Sequence, residues 1–260
     1  MAHQIIDRAP AIGRILTRAF SVMAHNPLVT FGTSLVLSGL PGVLLNYLIF
    51  NQRDTQSTGL TIAVIMSGAL FLLISFVLHA LVQGCLVRAT IADSEGRKAS
   101  LSECIGAAVA RFLPLIGASL LLGLAIVLGV LLLVIPGIML IIIYAALIPV
   151  TVEERLGVME AFRRASELSK GARWKILGLA VLVLLIFWLF MVAVGLVQVA
   201  LIGSSSSDLS RAFSISALLV SGLSSTFMTC FWSTTQTALY VELRDWKDGP
   251  ATGRLGEIFQ

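Results

Sequence analysis

The residues best placed to do chemistry are cationic. Arg163, Arg164, Lys170, Arg173 and Lys175 form the densest basic cluster of the sequence. Beside an anionic leaflet each such charge contributes about 1 kcal/mol of attraction, so the cluster could hold phospholipid head groups or steer an acidic partner. The simpler reading is topogenic anchoring, because Trp174 and Lys175 stand where an apolar segment begins and such residues mark membrane interfaces. A second feature is a ladder of hydroxyls. Ser221, Ser225, Thr229, Ser233 and Thr237 recur every four residues, which is one side of a helix, with Ser224, Thr226 and Gln236 nearby. Small hydroxylated residues let helices approach closely and bond back to their own turn, which is the favoured reading. The same stripe could instead line a wet or head-group cavity. Asn46 and Gln198, in other apolar segments, are candidate partners in either case.

Other chemistry is not legible in the pattern. No H-E-x-x-H, phosphate-binding or nucleophile-elbow motif occurs, and His3, His25 and His79 are too dispersed to suggest a metal site. No catalytic, cofactor-binding or metal-ligating residue is assigned, and the chain is expected to be no enzyme and to carry no cofactor. His79 is the one ionisable candidate inside an apolar segment. It stands near that segment's end, where it reads as a neutral interfacial histidine rather than a proton carrier. Asp93 with Glu95, and Glu153 with Glu154, lie in basic segments where pairing with neighbouring cations is expected. Cys85, Cys104 and Cys230 form no C-x-x-C pair and are read as free thiols.

These groups must be positioned by elements suited to hydrocarbon. Of 260 residues 57% are hydrophobic and only 12% charged, and the mean hydropathy is +0.96. A water-soluble domain carries about 25% charged residues, so this composition requires apolar side chains to face lipid. Charge-free stretches place six spans at about 27–50, 60–83, 112–134, 137–152, 175–202 and 212–241. The two middle ones are separated at Pro136-Gly137, a turn signal inside one long apolar run. The fold class is all-α and polytopic, since β-barrel strands would need an alternation that these runs lack. The longest stretch between spans, about 84 to 111, has no room for a large enzyme domain, so residues 1–260 read as a single membrane domain.

Cations fix the orientation. Sixteen of the 18 Lys and Arg residues fall on one side of this arrangement, leaving only Arg53 and Arg211 on the other. The positive-inside rule makes the crowded side cytoplasmic, with both termini there, in a multi-pass cell-membrane protein. The net charge of +4 thus follows topology, and nucleic acid is not expected as a partner. Residues 1–26 carry Asp7, Arg8, Arg14 and Arg18 and lack the pattern of a cleavable signal peptide. Three amphipathic helices are expected in the cytoplasmic interface. The first, about 10–23, has Ile12, Leu16, Phe20 and Met23 on one face. The second, about 100–111, opens at the capping pattern Ser100-Leu-Ser-Glu103. The third, about 154–170, sets Leu156, Met159, Phe162 and Ala165 opposite Arg155, Arg163 and Arg164 and closes at Gly171. Each precedes two spans, so the chain could be three repeated units.

The stretch EERLGVMEAFRRASELSKGARWKILGL at 153–179 resembles the bacterial membrane-domain family named after glycerophosphoryl diester phosphodiesterase. The proline-glycine turn in LLLVIPGIML, the restart at Arg173-Trp174-Lys175 and the ending ALYVELRD at 238–245 are similar to that family too. In that family the membrane domain can be fused to a metal-dependent hydrolase domain. This sequence contains only the membrane part, so the resemblance implies a stand-alone membrane domain and no hydrolase activity. The expected role is a non-catalytic module associating with phospholipid, or with a membrane or lipid-enzyme partner, at the cytoplasmic leaflet. The alternative is a transporter or permeation path for a small amphiphile, lined by the Ser/Thr stripe.

Overall fold

A backbone in hydrocarbon must satisfy its polar groups within its own segment, and helices do so. The computed structural model describes residues 10–44, 62–203 and 215–249, and among these the regular structure is entirely helical. In chain order the helices are α1 (Ile12–His25), α2 (Pro27–Leu44), α3 (Ile62–Ser94), α4 (Leu101–Ala110), α5 (Phe112–Leu132), α6 (Val134–Ile143), α7 (Leu147–Glu153), α8 (Val158–Ser169), α9 (Arg173–Gly203) and α10 (Ile215–Asp248). The expected spans reach beyond the described residues at 45–50, 60–61 and 212–214, as does Asn46.

Local chemistry sets the boundaries. Ser100 Oγ accepts from the Glu103 amide at 3.2 Å and opens α4, the expected half of a capping box, while the Glu103 carboxylate turns to arginines instead of the cap. At α8 the other half is present, with the Gly157 amide donating to Glu160 Oε2 at 3.3 Å. Helix α3 stops at Gly96, whose φ of +78° only glycine adopts cheaply. The Arg97 and Gly96 amides there reach back to the Ala92 and Asp93 carbonyls, a Schellman closure.

Prolines place the irregularities. The break in the long apolar run falls at Leu133, with extended φ −162° and ψ 135°, and not at Pro136-Gly137 as expected. Pro136 sits in the first turn of α6, where its missing N–H leaves no partner unsatisfied. A second break, at residues 144–146, precedes Pro149, which cannot donate to the Ala145 carbonyl four residues back. In α2 a π-helical turn, Leu35–Gly39, comes just ahead of Pro41.

Five helical segments are long and apolar enough to cross a membrane, at Pro27–Leu44, Gly68–Ser94, Phe112–Leu132, Val134–Glu153 and Arg173–Ala200. Six were expected. The sixth, α10, has 34 residues and would extend about 50 Å, but its many hydroxyls keep its hydropathy below that of the others. It can be polar because it is covered: α1, α2, α3 and α9 all pack on it, and Phe231, Ser233, Thr237, Tyr240 and Leu243 are fully buried. The core joins these to Leu86 and Ile91 of α3, Leu147 and Val150 of α7 and Leu168 of α8. In the opposite direction α5, α6 and α9 are nearly bare, with only 6% of the α9 apolar window buried.

Two amphipathic faces differ from expectation. On α1 the buried residues are Ile15, Ala19, Val22 and Met23, while Phe20 is 47% exposed. That helix docks on α10 through the Arg14–Glu242 ion pair and the Phe20–Phe231 ring contact at 5.3 Å, which turns its inner face. On α8 the buried residues are Ala161, Ala165, Leu168 and Ser169. Met159 is 75% exposed, and Phe162 is half-buried edge-on to Tyr144 at 4.9 Å.

Helices in lipid associate by close packing rather than by escape from water, so small residues mark their contacts. The α5–α6 hairpin is the tightest case. A Cβ on Gly137 would lie 2.9 Å from the Val130 backbone nitrogen, and one on Gly129 would lie 3.1 Å from Gly137 Cα. Gly137→Ala is expected to cost about 1–3 kcal/mol through overpacking against backbone that cannot yield. Gly195→Ala, which meets nothing within 4 Å, should be neutral or slightly stabilising. Thermal unfolding of the two variants in one detergent checks this, and equal midpoints would contradict it.

Candidate functional site

Charged side chains collect at one end of the bundle. From α3, Arg88 donates to Glu103 of α4 (Nε–Oε1 2.9 Å) and lies 3.5 Å from Glu153 of α7. Arg97 joins Glu103 at 3.0 Å and Glu95 at 2.9 Å. Hydrogen bonds from Arg97 and Arg88 hold the Glu103 carboxyl below its ordinary value of 4.5. Arg14 Nε meets Glu242 Oε1 at 2.8 Å, and His25 Nδ1 lies 3.1 Å from Asp93 Oδ1. Glu95, Glu153 and Glu154 are thus spent on neighbouring arginines and Asp93 on His25, as their setting implied.

Arg164 is the centre of a second knot. Its Nε lies 2.9 and 3.1 Å from the two Glu154 oxygens, its Nη2 pairs with Asp248, and the Tyr240 hydroxyl donates to Glu154 Oε1 at 3.2 Å. Burial works against its charge, but the hydrogen bonds to Asp248 and Glu154 outweigh it, so its pKa is raised. This knot ties α7, α8 and α10 together. It also brings the motif at 153–179 onto the segment beginning at 238, two stretches far apart in sequence.

The five cations of the cluster therefore divide. Arg164 is an internal tie, its side chain only 25% exposed. Arg163, Lys170, Arg173 and Lys175 are exposed, and among the described residues none of them has a carboxylate partner. They stand on α8, on the turn at Gly171 (φ +87°) and on the first turn of α9, beside the exposed Trp174.

The hydroxyl stripe faces protein. Ser221 and Ser225 bond back to Leu218 and Gly222, Thr237 bonds to the Ser233 carbonyl, and Thr229 meets Ser38 of α2 at 3.1 Å. Gly39 and Gly222 allow that approach: a Cβ on Gly39 would lie 3.2 Å from the Gly222 carbonyl oxygen. None of the five stripe residues lines a described cavity. Gln198 is half-buried on α9.

A different face of α10 does line one. A cavity of about 390 Å³ lies where α3, α5, the Tyr144–Ala146 turn, α9 and α10 meet. His79 and Gln83 of α3 and Thr235 and Gln236 of α10 form its polar part. Gln83 Nε2 lies 3.3 Å from His79 Nε2. Gln83 Oε1, Thr235 Oγ1 and Gln236 Oε1 are buried without a hydrogen-bond partner. His79, read in sequence as a neutral interfacial residue, also lines this cavity. Gln83 and Thr235 were passed over in sequence, although a buried amide in an apolar run is the available signal. No group of three or more metal-binding side chains occurs among the described residues. All three cysteines are buried free thiols, and burial pushes the Cys104 thiol up to about 11, leaving it protonated and unreactive near neutrality.

Fold and site together define an all-α polytopic membrane protein with one polar, ion-paired end. No family model, curated protein or solved structure matches the chain.

The division of the cluster predicts opposite responses to neutralisation. Arg164→Met should lower stability by about 1–3 kcal/mol, because it takes the charge-assisted hydrogen bonds of the guanidinium away from Glu154 and Asp248. Arg163→Met should fall within about 0.5 kcal/mol of the parent. Unfolding midpoints of the full chain in detergent measure both, and similar losses would show that Arg164 is no tie.

Proposed function

We propose that the chain is a non-catalytic membrane module that engages anionic phospholipid at the cytoplasmic leaflet through Arg163, Lys170, Arg173 and Lys175. The observation that carries this reading is the separation of the cluster into one arginine bound within the fold and four cations directed outward. Glu154, Tyr240 and Asp248 hold Arg164, which fixes α8 and the start of α9 as a platform. The free cations on that platform meet head groups without first giving up an internal partner. Trp174 adds an amphipathic ring at the same level.

Reconstitution into nanodiscs of mixed phosphatidylglycerol and phosphatidylcholine, followed by analysis of the lipids retained on release, tests this. The parent should retain phosphatidylglycerol preferentially. Arg163→Glu, Lys170→Glu and Arg173→Glu together should reduce that preference about a hundredfold, given roughly 1 kcal/mol per charge, with Arg164 left in place so that folding is spared. An unchanged lipid ratio removes the proposal.

The same reading places the polar end in the cytoplasm of a bacterial cell, in the inner membrane, with both termini on that side. The excess of cations at that end supports this. Since the native cysteines are buried, a Lys98→Cys variant provides a single reporter on the exposed turn after α3. Impermeant maleimide should label it only after the cells are opened, and labelling of intact cells would invert the topology. Membership of the glycerophosphoryl diester phosphodiesterase membrane-domain family is proposed on the motifs at 153–179 and 238–245, and their contact through the Tyr240–Glu154 hydrogen bond supports treating them as one feature. A lipid enzyme is the membrane partner that such a stand-alone domain would serve.

A further inference from the structure

The cavity between α3, α5, α9 and α10 has a composition that selects for one kind of occupant. Its volume of about 390 Å³ lies within the range of small-molecule sites, roughly 300–1,000 Å³. Leu122, Ile126, Ile142, Leu179 and Val183 make its walls apolar, and no Asp, Glu, Lys or Arg lines it. A phosphate or carboxylate head would enter without a counter-charge, at a cost far above that of a neutral group.

The polar part calls for both a donor and an acceptor. Gln83 is 6% exposed and Thr235 4% exposed, and each keeps a polar atom unpaired. Exchanging the oxygen and nitrogen of either glutamine side chain would still leave one of its atoms without a partner, because each amide presents both kinds. An unpaired buried polar group is expensive, so a ligand that satisfies it gains from its removal. A hydroxyl donates and accepts at once.

We propose that this cavity binds a neutral amphiphile whose head carries hydroxyl groups, of the monoacylglycerol or diacylglycerol class, with the head at His79, Gln83, Thr235 and Gln236. The volume equals about thirteen waters at roughly 30 Å³ each, enough for a glycerol head and part of a chain. The remaining hydrocarbon leaves through the open side into the surrounding lipid. The site is separate from the cation cluster and does not rest on its role.

The test uses the full chain in nanodiscs and three diazirine-bearing probes with the same acyl chain: a monoacylglycerol, a fatty acid methyl ester and a lysophosphatidic acid. Crosslinks are mapped to peptides by mass spectrometry. The monoacylglycerol should label cavity residues saturably and about tenfold more than either of the others. Thr235→Val with Gln236→Leu should reduce that labelling about tenfold, and Ala180→Phe, which fills the cavity, should abolish it. Thr235→Val alone preserves shape and guards against misfolding, and it should reduce labelling severalfold. Arg163→Glu should leave labelling unchanged. Equal capture of the methyl ester would reduce the cavity to an unselective apolar gap, preferential capture of the phosphate probe would reverse the assignment, and undiminished labelling of Thr235→Val and of the double variant would overturn it.

Discussion

A helix that carries a hydroxyl on almost every turn is poorly solvated by hydrocarbon, and the arrangement of this protein follows from covering it. Helix α10 is enclosed along its inner half by α1, α2 and α3, with α9 adding contacts on another side. Several of its hydroxyls bond to their own backbone and Thr229 meets Ser38 across the contact, while those of Ser233 and Thr235 are buried without a partner. In water such a helix would gain little from burial. In lipid, where a stranded polar atom has no solvent to turn to, the enclosure is the condition for its presence. The polar end of the bundle extends the same logic to ionisable groups, with Glu242, Asp93, Glu103 and Glu154 each met by an arginine or histidine from another helix or turn.

Order within the molecule is graded accordingly. Large fully buried side chains such as Tyr240, Leu86, Leu147 and Leu168 lie close to the ion-paired end. Away from it, α5, α6 and α9 expose leucine, isoleucine and valine along most of their length. That surface is ordinary for lipid. The two polar regions outside the ion-pair network, the outward cations and the cavity, lie at the edge of the buried zone, where space remains.

Much of this was legible in the sequence. Charge-free length gave the helices, Ser100 and Gly171 marked ends where they were sought, and the sorting of cations matches the ion-paired end seen among the described residues. What failed did so for identifiable reasons. Pro136 suggested a break at its own position, but a proline in a first helical turn disturbs nothing, so the chain opens earlier, at Leu133. Amphipathic faces on α1 and α8 were drawn from periodicity, which cannot know that Arg14 is drawn to Glu242 or that Arg164 turns inward to Glu154. The five-cation cluster looked uniform because spacing carries no record of a partner 84 residues away. The stripe on α10 was visible and its packing role was the favoured one. The cavity was not visible, since it depends on Gln83 and Gln236 converging from helices far apart in the chain.

Helix α9 is attached unevenly. Ile176, Leu179 and Val183 are buried near its start, and Phe190, stacked on Phe227 at 4.8 Å, is its last described ring contact. Beyond that point Leu196, Val197 and Val199 are exposed, a surface suited to lipid. The attached part of that rod is also a wall of the cavity, so Ile176, Leu179 and Val183 both hold the helix to the bundle and shape the pocket.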